Sequence, residues 1–508
     1  MKIEIMDTTL RDGEQTTGVS FIAHEKLLIV RALLIDLGVD RVEVASARVS
    51  SGEKNSVSDI CAWALRHGLL EKIEVLGFVD GKESVDWLCD CGCKMMNLLC
   101  KGSLRHCTQQ LKKSPQEHIS NIKDCISYAH SRGVDVNIYL EDWSNGMKDS
   151  PDYVFNFVDS LKDCGIKRFM LPDTLGVLYP VQVYNFISAM IERFADLHFD
   201  FHAHNDYDLA AANTLAAVNA GCKGVHTCVN GLGERAGNAP IASVQAILKD
   251  LAKVETGINE SNLHSVSRLV ESYSGVQIPP NRPVVGEYVF TQVAGVHADG
   301  DNKANLYCND LLPERFGRKR EYALGKNSGK ANILKNLENM GLELTPEQTR
   351  RVTDRIIELG DKKEVVTADD LPYIVSDVLK HDNSLEEKVK LISYMVTTAY
   401  GLKPIASVRL EICDNVYEAQ ACGDGQYDAF VRAVRHIYKD NMHASFPWLT
   451  DYVVSIPPGG RTDALVQTLI SWDYNGRIIH TRGLDADQVE AAIKATMKML
   501  NILVNEDN

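Results

Sequence analysis

Short apolar runs recur along the first half of the chain. Each is followed by a longer segment in which apolar positions return every three or four residues. The runs are IEIMD (3–7), RVEVAS (41–46), IEVLGF (73–78) and MMNLLC (95–100), then VNIYLED (136–142), RFMLPD (168–173), FDFHAHND (199–206) and GVHTCVNG (224–231). Several are near-continuous rather than alternating, which predicts parallel strands covered on both faces. The stretches between them, such as Glu25–Leu37 and Val181–Phe194, carry helical periodicity. Eight such repeats in about 270 residues predict an α/β fold, a (β/α)8 TIM barrel. A doubly wound sheet would also alternate strands and helices, but no GxGxxG follows the first run. The segment NGLGERAGN at 230–238 has the wrong spacing and place for a dinucleotide fingerprint.

From about residue 275 the pattern changes. SGVQIPPNRPVVGEY is rich in Pro and Gly and reads as an irregular linker. AGVHADGDNKANLY (294–307) and LLPERFGRKREYALGKNSGK (311–330) follow, and then a charged helical stretch to about 380. The remainder alternates shorter strands and helices over Lys390–Thr398, Ile405–Ile412, Asp428–Tyr438, Asp451–Ile456, Asp463–Trp472 and Asp487–Leu500. The predicted organisation is a barrel over 1–274, a helical linker subdomain over 275–385 and an α+β domain over 386–508. A chain of 508 residues is also too long for one core. Nothing in the last domain resembles a catalytic cluster, which points to regulation or assembly.

Charge narrows the classes of partner. The net charge of −15 argues against nucleic acid or an anionic membrane surface as the main partner, and no apolar run reaches 18 residues. The chain enters a strand at Lys2–Met6 without a basic-apolar leader and carries 13 cysteines, an odd number. Both observations predict a reducing cytoplasm and free thiols. The cluster Cys89, Cys91, Cys93 lacks a second ligand pair and reads as buried thiols rather than a zinc site.

The polar residues at strand ends carry the candidate chemistry. His202 and His204 stand at i and i+2 of a strand, so their imidazoles point the same way. With the carboxylate of Asp12, and Asn238 in the loop after the eighth strand, they form a candidate divalent metal site with open positions. The alternative is a pair of hydrogen-bonded histidines capping the barrel core. Arg11 would stand beside the metal and stabilise charge on a carbonyl oxygen, or else pair with Asp7 or Glu43. Thr174 offers a hydroxyl to a carboxylate or caps a helix. Glu141 binds or activates a group at the metal, or only balances a nearby cation. Leu76, Leu99 and Tyr139 would wall the cavity with apolar surface, or simply belong to the core.

Together DTTLRDGEQ, LPDTLG, HAHND, NGLGERAGNA and GVHADG resemble the DRE-TIM metallolyase family, and within it the Claisen-condensing isopropylmalate, homocitrate and citramalate synthases. GDGQYDAF and DYVVSIPPGGRTDALV resemble the regulatory domain of the isopropylmalate and citramalate enzymes, so the similarity spans nearly the whole chain. The resemblance implies a metal-bound 2-oxo acid condensing with acetyl-CoA, followed by thioester hydrolysis. It implies that His297, Asp299, Asn305, Leu306 and Tyr307 serve the acetyl-CoA apparatus, with His297 and Glu141 as rival bases. It also implies a homodimer whose linker crosses to the other subunit.

The stretches NIYLEDWSNG, VLGFVDG and NLLCKGS are most similar to citramalate synthases of the isoleucine pathway. The small slot formed by Leu76, Leu99 and Tyr139 suits the methyl group of pyruvate; 2-oxoisovalerate, the isopropylmalate substrate, is the alternative. No cationic partner for the distal carboxylate of 2-oxoglutarate is apparent, which counts against homocitrate synthesis. Two imidazoles favour Zn²⁺ or Mn²⁺ over Mg²⁺. Tyr427, Leu449, Tyr452, Ile456 and Val466 are candidates for an isoleucine or leucine feedback pocket, or for dimer core. The long last domain counts against a hydroxymethylglutaryl-CoA lyase, and the intact Arg11, Asp12, His202, His204 and Glu141 against an inactive amino-acid-sensing barrel.

Overall fold

A computed structural model describes residues 2–293, 300, 306–324, 330–339, 342, 344–361, 371, 374–375, 388–441, 445–455, 466–485 and 487–506. Eight parallel strands close into a barrel in sequence order. They are β1 (Glu4–Asp7), β2 (Arg41–Ser46), β3 (Ile73–Phe78), β4 (Met95–Lys101), β5 (Asp135–Glu141), β6 (Phe169–Asp173), β7 (Phe199–Ala203) and β8 (Gly224–Thr227). Closure runs through β1 and β8, with Met6 opposite His226 and Asp7 opposite Thr227. Helices lie between the strands, and their starts follow local chemistry. Ser50 accepts the amide of Glu53 at 3.0 Å to open the helix Ser51–Arg66. Ser114 does the same for Glu117 ahead of Pro115 at the first helical position.

Strand alternation divides the barrel into two environments. One face of the strands, with Ile5, Val42, Val44, Val75, Leu98, Ile138, Leu171, Phe201 and Val225, joins the large apolar core under the helices. The other face fills the barrel interior and is unusually polar. At the N-terminal end Arg41 bridges Glu74 at 3.1 Å and Asp200 at 2.5 Å, all three buried. Halfway up, Asn137 donates to Asn97 at 2.9 Å and Asn97 to Glu43 at 2.8 Å. The same interior also holds an apolar plug of Met6, Leu76, Tyr139 and Met170, with Leu99 packed against it, and Met6 Sδ lies 3.4 Å from Arg41 Nη1. The near-continuous apolar reading of the strands is thus half right: inward positions hold carboxylates, amides and an arginine that neutralise one another.

Residues Met1–Thr291 with Cys308–Arg320 form one compact unit, and Gln292–Tyr307 with Glu321–Asn508 the other. In the second unit, Leu324, Ile333, Leu337, Val352, Ile356, Leu371, Ile374 and Val375 make a small core beneath the helices Lys330–Asn339 and Pro346–Asp361. The C-terminal part holds two three-stranded antiparallel sheets, with helices Gln426–His436 and Gln488–Glu506. Two of its strands, Asn415–Cys422 and Arg477–Asp485, were not among the predicted segments. The first of them is largely exposed, with a burial pattern that gives little apolar signal. Among the described residues, no helix is long and apolar enough to cross a membrane.

Candidate metal centre and active site

The two segments singled out at 7–15 and 201–206 meet at the C-terminal mouth of the barrel. Asp12 lies just beyond β1, and β7 carries His202 and leads directly into His204. Ligand atoms of the three lie within 4.8 Å of one another, and all three residues are buried. The Asp12 Oδ2 to imidazole Nε2 distances are 3.2 Å for His202 and 3.9 Å for His204. Asn238 is brought alongside by an antiparallel bridge to His204. Its Nδ2 donates to the Leu232 carbonyl at 2.9 Å, which leaves Oδ1 buried without a partner. Asp12 Oδ1 and the Nδ1 atoms of both histidines are likewise buried and unpartnered. Buried polar atoms are normally satisfied; the three residues whose ligand atoms cluster all carry such an orphan and fit a bound cation with one carboxylate and two imidazoles, with the Asn238 amide oxygen as a further candidate donor.

The loop that delivers Asn238 needs glycine at two points. Gly233 and Gly237 have φ of +149° and +85°, and a Cβ would lie 2.2 Å from Asn238 Nδ2 and 1.9 Å from the Gly231 carbonyl respectively. The Gly-rich run that failed as a dinucleotide motif is therefore the turn that holds Asn238.

Electrostatics tune the donors for a metal. Burial works against the charge on Asp12, but Arg11 and then the two histidines outweigh it and hold the carboxyl well below the usual carboxylate range. Burial lowers the pKa of His202, opposed only in part by Asp12. Burial and then His202 take His204 down to about 4. A carboxylate beside neutral imidazoles is the donor state that metal binding requires.

Arg11 donates to Glu43 at 2.5 Å and to Asp12 at 3.0 Å, and its Nη2 lies 3.4 Å from the Tyr139 hydroxyl. Of the two ion-pair partners considered from sequence, Glu43 is the one it meets. Asp7 instead accepts the Thr9 amide at 2.9 Å, and burial raises its pKa to about 7. Tyr139 is more than an apolar wall. Its hydroxyl lies 3.1 Å from His226 Nδ1, and His226 Nε2 is 3.2 Å from Asp200, so the phenol is anchored through the barrel interior. Leu76 and Leu99 both belong to the plug around it.

Glu141 ends β5 opposite Lys101 at the end of β4, and the two side chains form an ion pair. Lys101 was not singled out from sequence. Its main chain is held from both sides, the amide donating to His118 Nε2 at 3.1 Å and the carbonyl accepting the Tyr153 hydroxyl at 2.8 Å. Thr174 Oγ1 accepts the amide of Asp142 at 2.9 Å, so it is not a helix cap. Arg235 donates to the Thr174 carbonyl at 2.9 Å while pairing with Asp206 at 2.7 Å. Beside Arg11 lies a cavity of about 600 Å³ lined in part by Leu10, Glu14, Phe21, Ser46, Ser50 and Glu53.

In the second unit, His297, Asp299, Asn305 and Ile456 lie outside the described residues. Leu306 and Tyr307 are exposed. The Tyr427 hydroxyl is 2.7 Å from that of Thr496, and its ring lies 5.3 Å from the Tyr452 ring. Both tyrosines pack against the C-terminal core. Leu449 is exposed and Val466 half-buried, on paired strands.

A closed parallel barrel with a carboxylate–imidazole cluster at its C-terminal mouth defines a TIM-barrel protein with a metal-ready centre. Residues 2–270 match the family described as HMGL-like, residues 284–364 the homocitrate synthase post-HMGL domain-like family, and residues 365–504 the LeuA allosteric (dimerisation) domain. The chain belongs to the HMGL-like family, in the architecture that adds a LeuA allosteric and dimerisation domain. The (R)-citramalate synthase of Methanocaldococcus jannaschii is 33% identical over 508 residues, covering 99% of this chain and 100% of that one. The 2-isopropylmalate synthase of the same organism is 34% identical over 505 residues, covering 98% of this chain and 94% of that one.

Proposed function

We propose that this chain is a metal-dependent acyltransferase that condenses acetyl-CoA with pyruvate to give (R)-citramalate and coenzyme A. The observation that carries the choice of substrate is the apolar plug of Leu76, Tyr139, Met6 and Met170, whose Tyr139 ring lies 6.2 Å from the His202 ring. In this reading Leu76 and Tyr139, whose hydroxyl lies 3.4 Å from Arg11 Nη2, wall the methyl group of pyruvate. Full-length relatives named for citramalate and isopropylmalate synthesis support the reaction class. The isopropylmalate synthase among them also supports a second reading, in which 2-oxoisovalerate is the 2-oxo acid.

In this reading Asp12, His202, His204 and Asn238 hold a divalent metal, zinc or manganese by donor type, which supplies Lewis-acid polarisation of the substrate ketone. Arg11, its position set by Glu43 and Asp12, faces the ketone oxygen and stabilises the negative charge that gathers there. Thr174 donates its hydroxyl proton to the substrate carboxylate. The acetyl-CoA arm approaches through the cavity beside Arg11. Glu141 or His297 takes a proton from the acetyl methyl group, and the resulting carbanion forms the new bond to the ketone carbon. The ketone oxygen takes up one proton, balancing the one the base removed, to become a hydroxyl, and water then cleaves the thioester to a carboxylate and free coenzyme A. Asp299, Asn305, Leu306 and Tyr307 serve the acetyl-CoA side, with the linker crossing to a second subunit of a homodimer. Isoleucine is the feedback ligand of the last domain, near Tyr427, Leu449, Tyr452, Ile456 and Val466; leucine would replace it under the second reading.

Coenzyme A release, followed with a thiol reagent, tests the reading across pyruvate, 2-oxobutyrate, 2-oxoisovalerate and 2-oxoglutarate, each with and without isoleucine or leucine. Preference for pyruvate with inhibition by isoleucine is the expected result. Preference for 2-oxoisovalerate would make the second reading correct.

A further inference from the structure

Asp142 directly follows Glu141 and opens the short helix Trp143–Asp149, yet it does not behave as a cap. Its backbone is left-handed, with φ of +64°, a conformation that is uncommon for a side chain other than Asn or Asp. At a helix start an aspartate ordinarily turns its carboxylate back onto the first free amides. Here no such bond forms. The buried carboxylate is instead spread over three side chains: Ser103 at 2.7 Å, Asn145 at 2.7 Å and His106 Nε2 at 3.3 Å. Ser103 and His106 lie in the segment that follows β4, His106 within a helical turn, so this knot ties the ends of β4 and β5 together. The residue gives up the usual cap and holds a left-handed turn, so its carboxylate and its amide both serve groups outside the helix it opens.

The left-handed turn aims the Asp142 amide at Thr174 Oγ1, across to the end of β6, at 2.9 Å. A hydroxyl has one proton to give and lone pairs to accept with. With an amide already donated to its oxygen, the Thr174 hydroxyl is directed to act as a donor, and its proton is free for an anion at the mouth. We infer that Asp142 is a positioning residue: its anchored, left-handed turn polarises and orients Thr174 as a hydrogen-bond donor to the carboxylate of the 2-oxo acid. This rests on the functional reading above, and deepens it by naming what sets the carboxylate subsite.

The test is a double-mutant cycle in the full-length enzyme, with separate KM values for pyruvate and acetyl-CoA. Asp142→Ala loses the three anchors and places an alanine in the left-handed region. It is expected to raise KM for pyruvate about tenfold, the size of one charge-assisted hydrogen bond, with KM for acetyl-CoA within about twofold of the wild type. In a Thr174→Val background the same substitution is expected to add less than about twofold, because the group through which it acts is gone. Asp142→Asn, which tolerates the left-handed turn and keeps an acceptor, is expected to restore most of the pyruvate affinity. Should Asp142→Ala not fold, Ser103→Ala removes one anchor alone and carries the same expectation at about threefold. Equal penalties with and without Thr174, or parallel changes in both KM values, would overturn the inference while leaving the enzyme assignment intact. No coenzyme A release by the wild type with any 2-oxo acid would overturn the functional reading and this inference with it.

Discussion

Leu76→Ala tests the slot that selects the 2-oxo acid. Leu76 is 5% exposed and packs with Met6, Tyr139 and Met170, themselves nearly inaccessible. Truncation removes three carbons from the plug, and 2-oxoisovalerate carries two more carbons than pyruvate, so the branched group fits the vacated volume. Burying two extra methyl groups at about 0.8 kcal/mol each gives roughly 1.6 kcal/mol, or about 15-fold in relative kcat/KM. Relief of overpacking against the wild-type leucine, typically about 1–3 kcal/mol, adds to the shift. The barrel itself loses about 2–5 kcal/mol of stability from a buried Leu→Ala change, so circular dichroism and a melting curve accompany the kinetics. The assay is coenzyme A release with each acid under subsaturating conditions. The expected result is a shift of at least about tenfold in the kcat/KM ratio toward 2-oxoisovalerate. A folded variant with an unchanged ratio would refute the assignment of this plug as the specificity wall.

Further outcomes follow from the same geometry. His202→Ala is expected to abolish turnover and co-purifying divalent metal while the far-ultraviolet spectrum stays native; stoichiometric metal in the variant would remove His202 from the ligand set. Arg41→Met strands the buried carboxylates of Glu74 and Asp200, and is expected to cost about 3–5 kcal/mol in denaturant titration; a change under about 1 kcal/mol would show that the pair is not what neutralises them. His118 is buried beneath Lys101, and burial lowers its pKa to about 4 from an unfolded value of 6.5. The folded state then binds fewer protons than the unfolded one between those values, so stability falls as pH drops from about 6.5 toward 4. His118→Gln is expected to flatten that slope in urea titrations at a series of pH values; an unaltered slope would assign it to other groups.

The barrel was legible because each of its strands is a contiguous run whose ends are marked by polar residues. The predicted β2 and β3 coincide with the observed strands, and β7 differs only where FDFHAHND runs past Ala203 into the bend that carries His204. The metal-ready cluster was legible too, since i and i+2 on a strand fix a common direction without any knowledge of the partners. What could not be read is whatever depends on register between strands. Lys101 and Glu141 are partners only because β4 and β5 align end to end. Likewise, the Tyr139 hydroxyl finds His226 across the barrel interior, and a tyrosine inside an apolar run reads as core. Glu43 was readable as a possible partner of Arg11, but Glu74 and Asp200 were not singled out, because the cation they share, Arg41, lies far from both in sequence. In the last domain the strand at 415–422 was missed for a different reason: one face is solvated, and Glu418 and Gln420 dilute the apolar signal.

The most direct test of the proposed condensation follows the carbon rather than the thiol. Acetyl-CoA labelled with ¹³C in the methyl group is incubated with pyruvate, the metal-loaded full-length protein and, in parallel, the His202→Ala variant, and the product is read by NMR. The label is expected to enter the methylene group bonded to the tertiary carbinol carbon of citramalate, with the wild type only. Label recovered solely as acetate would mean thioester hydrolysis without carbon–carbon bond formation, and would contradict the proposed condensation.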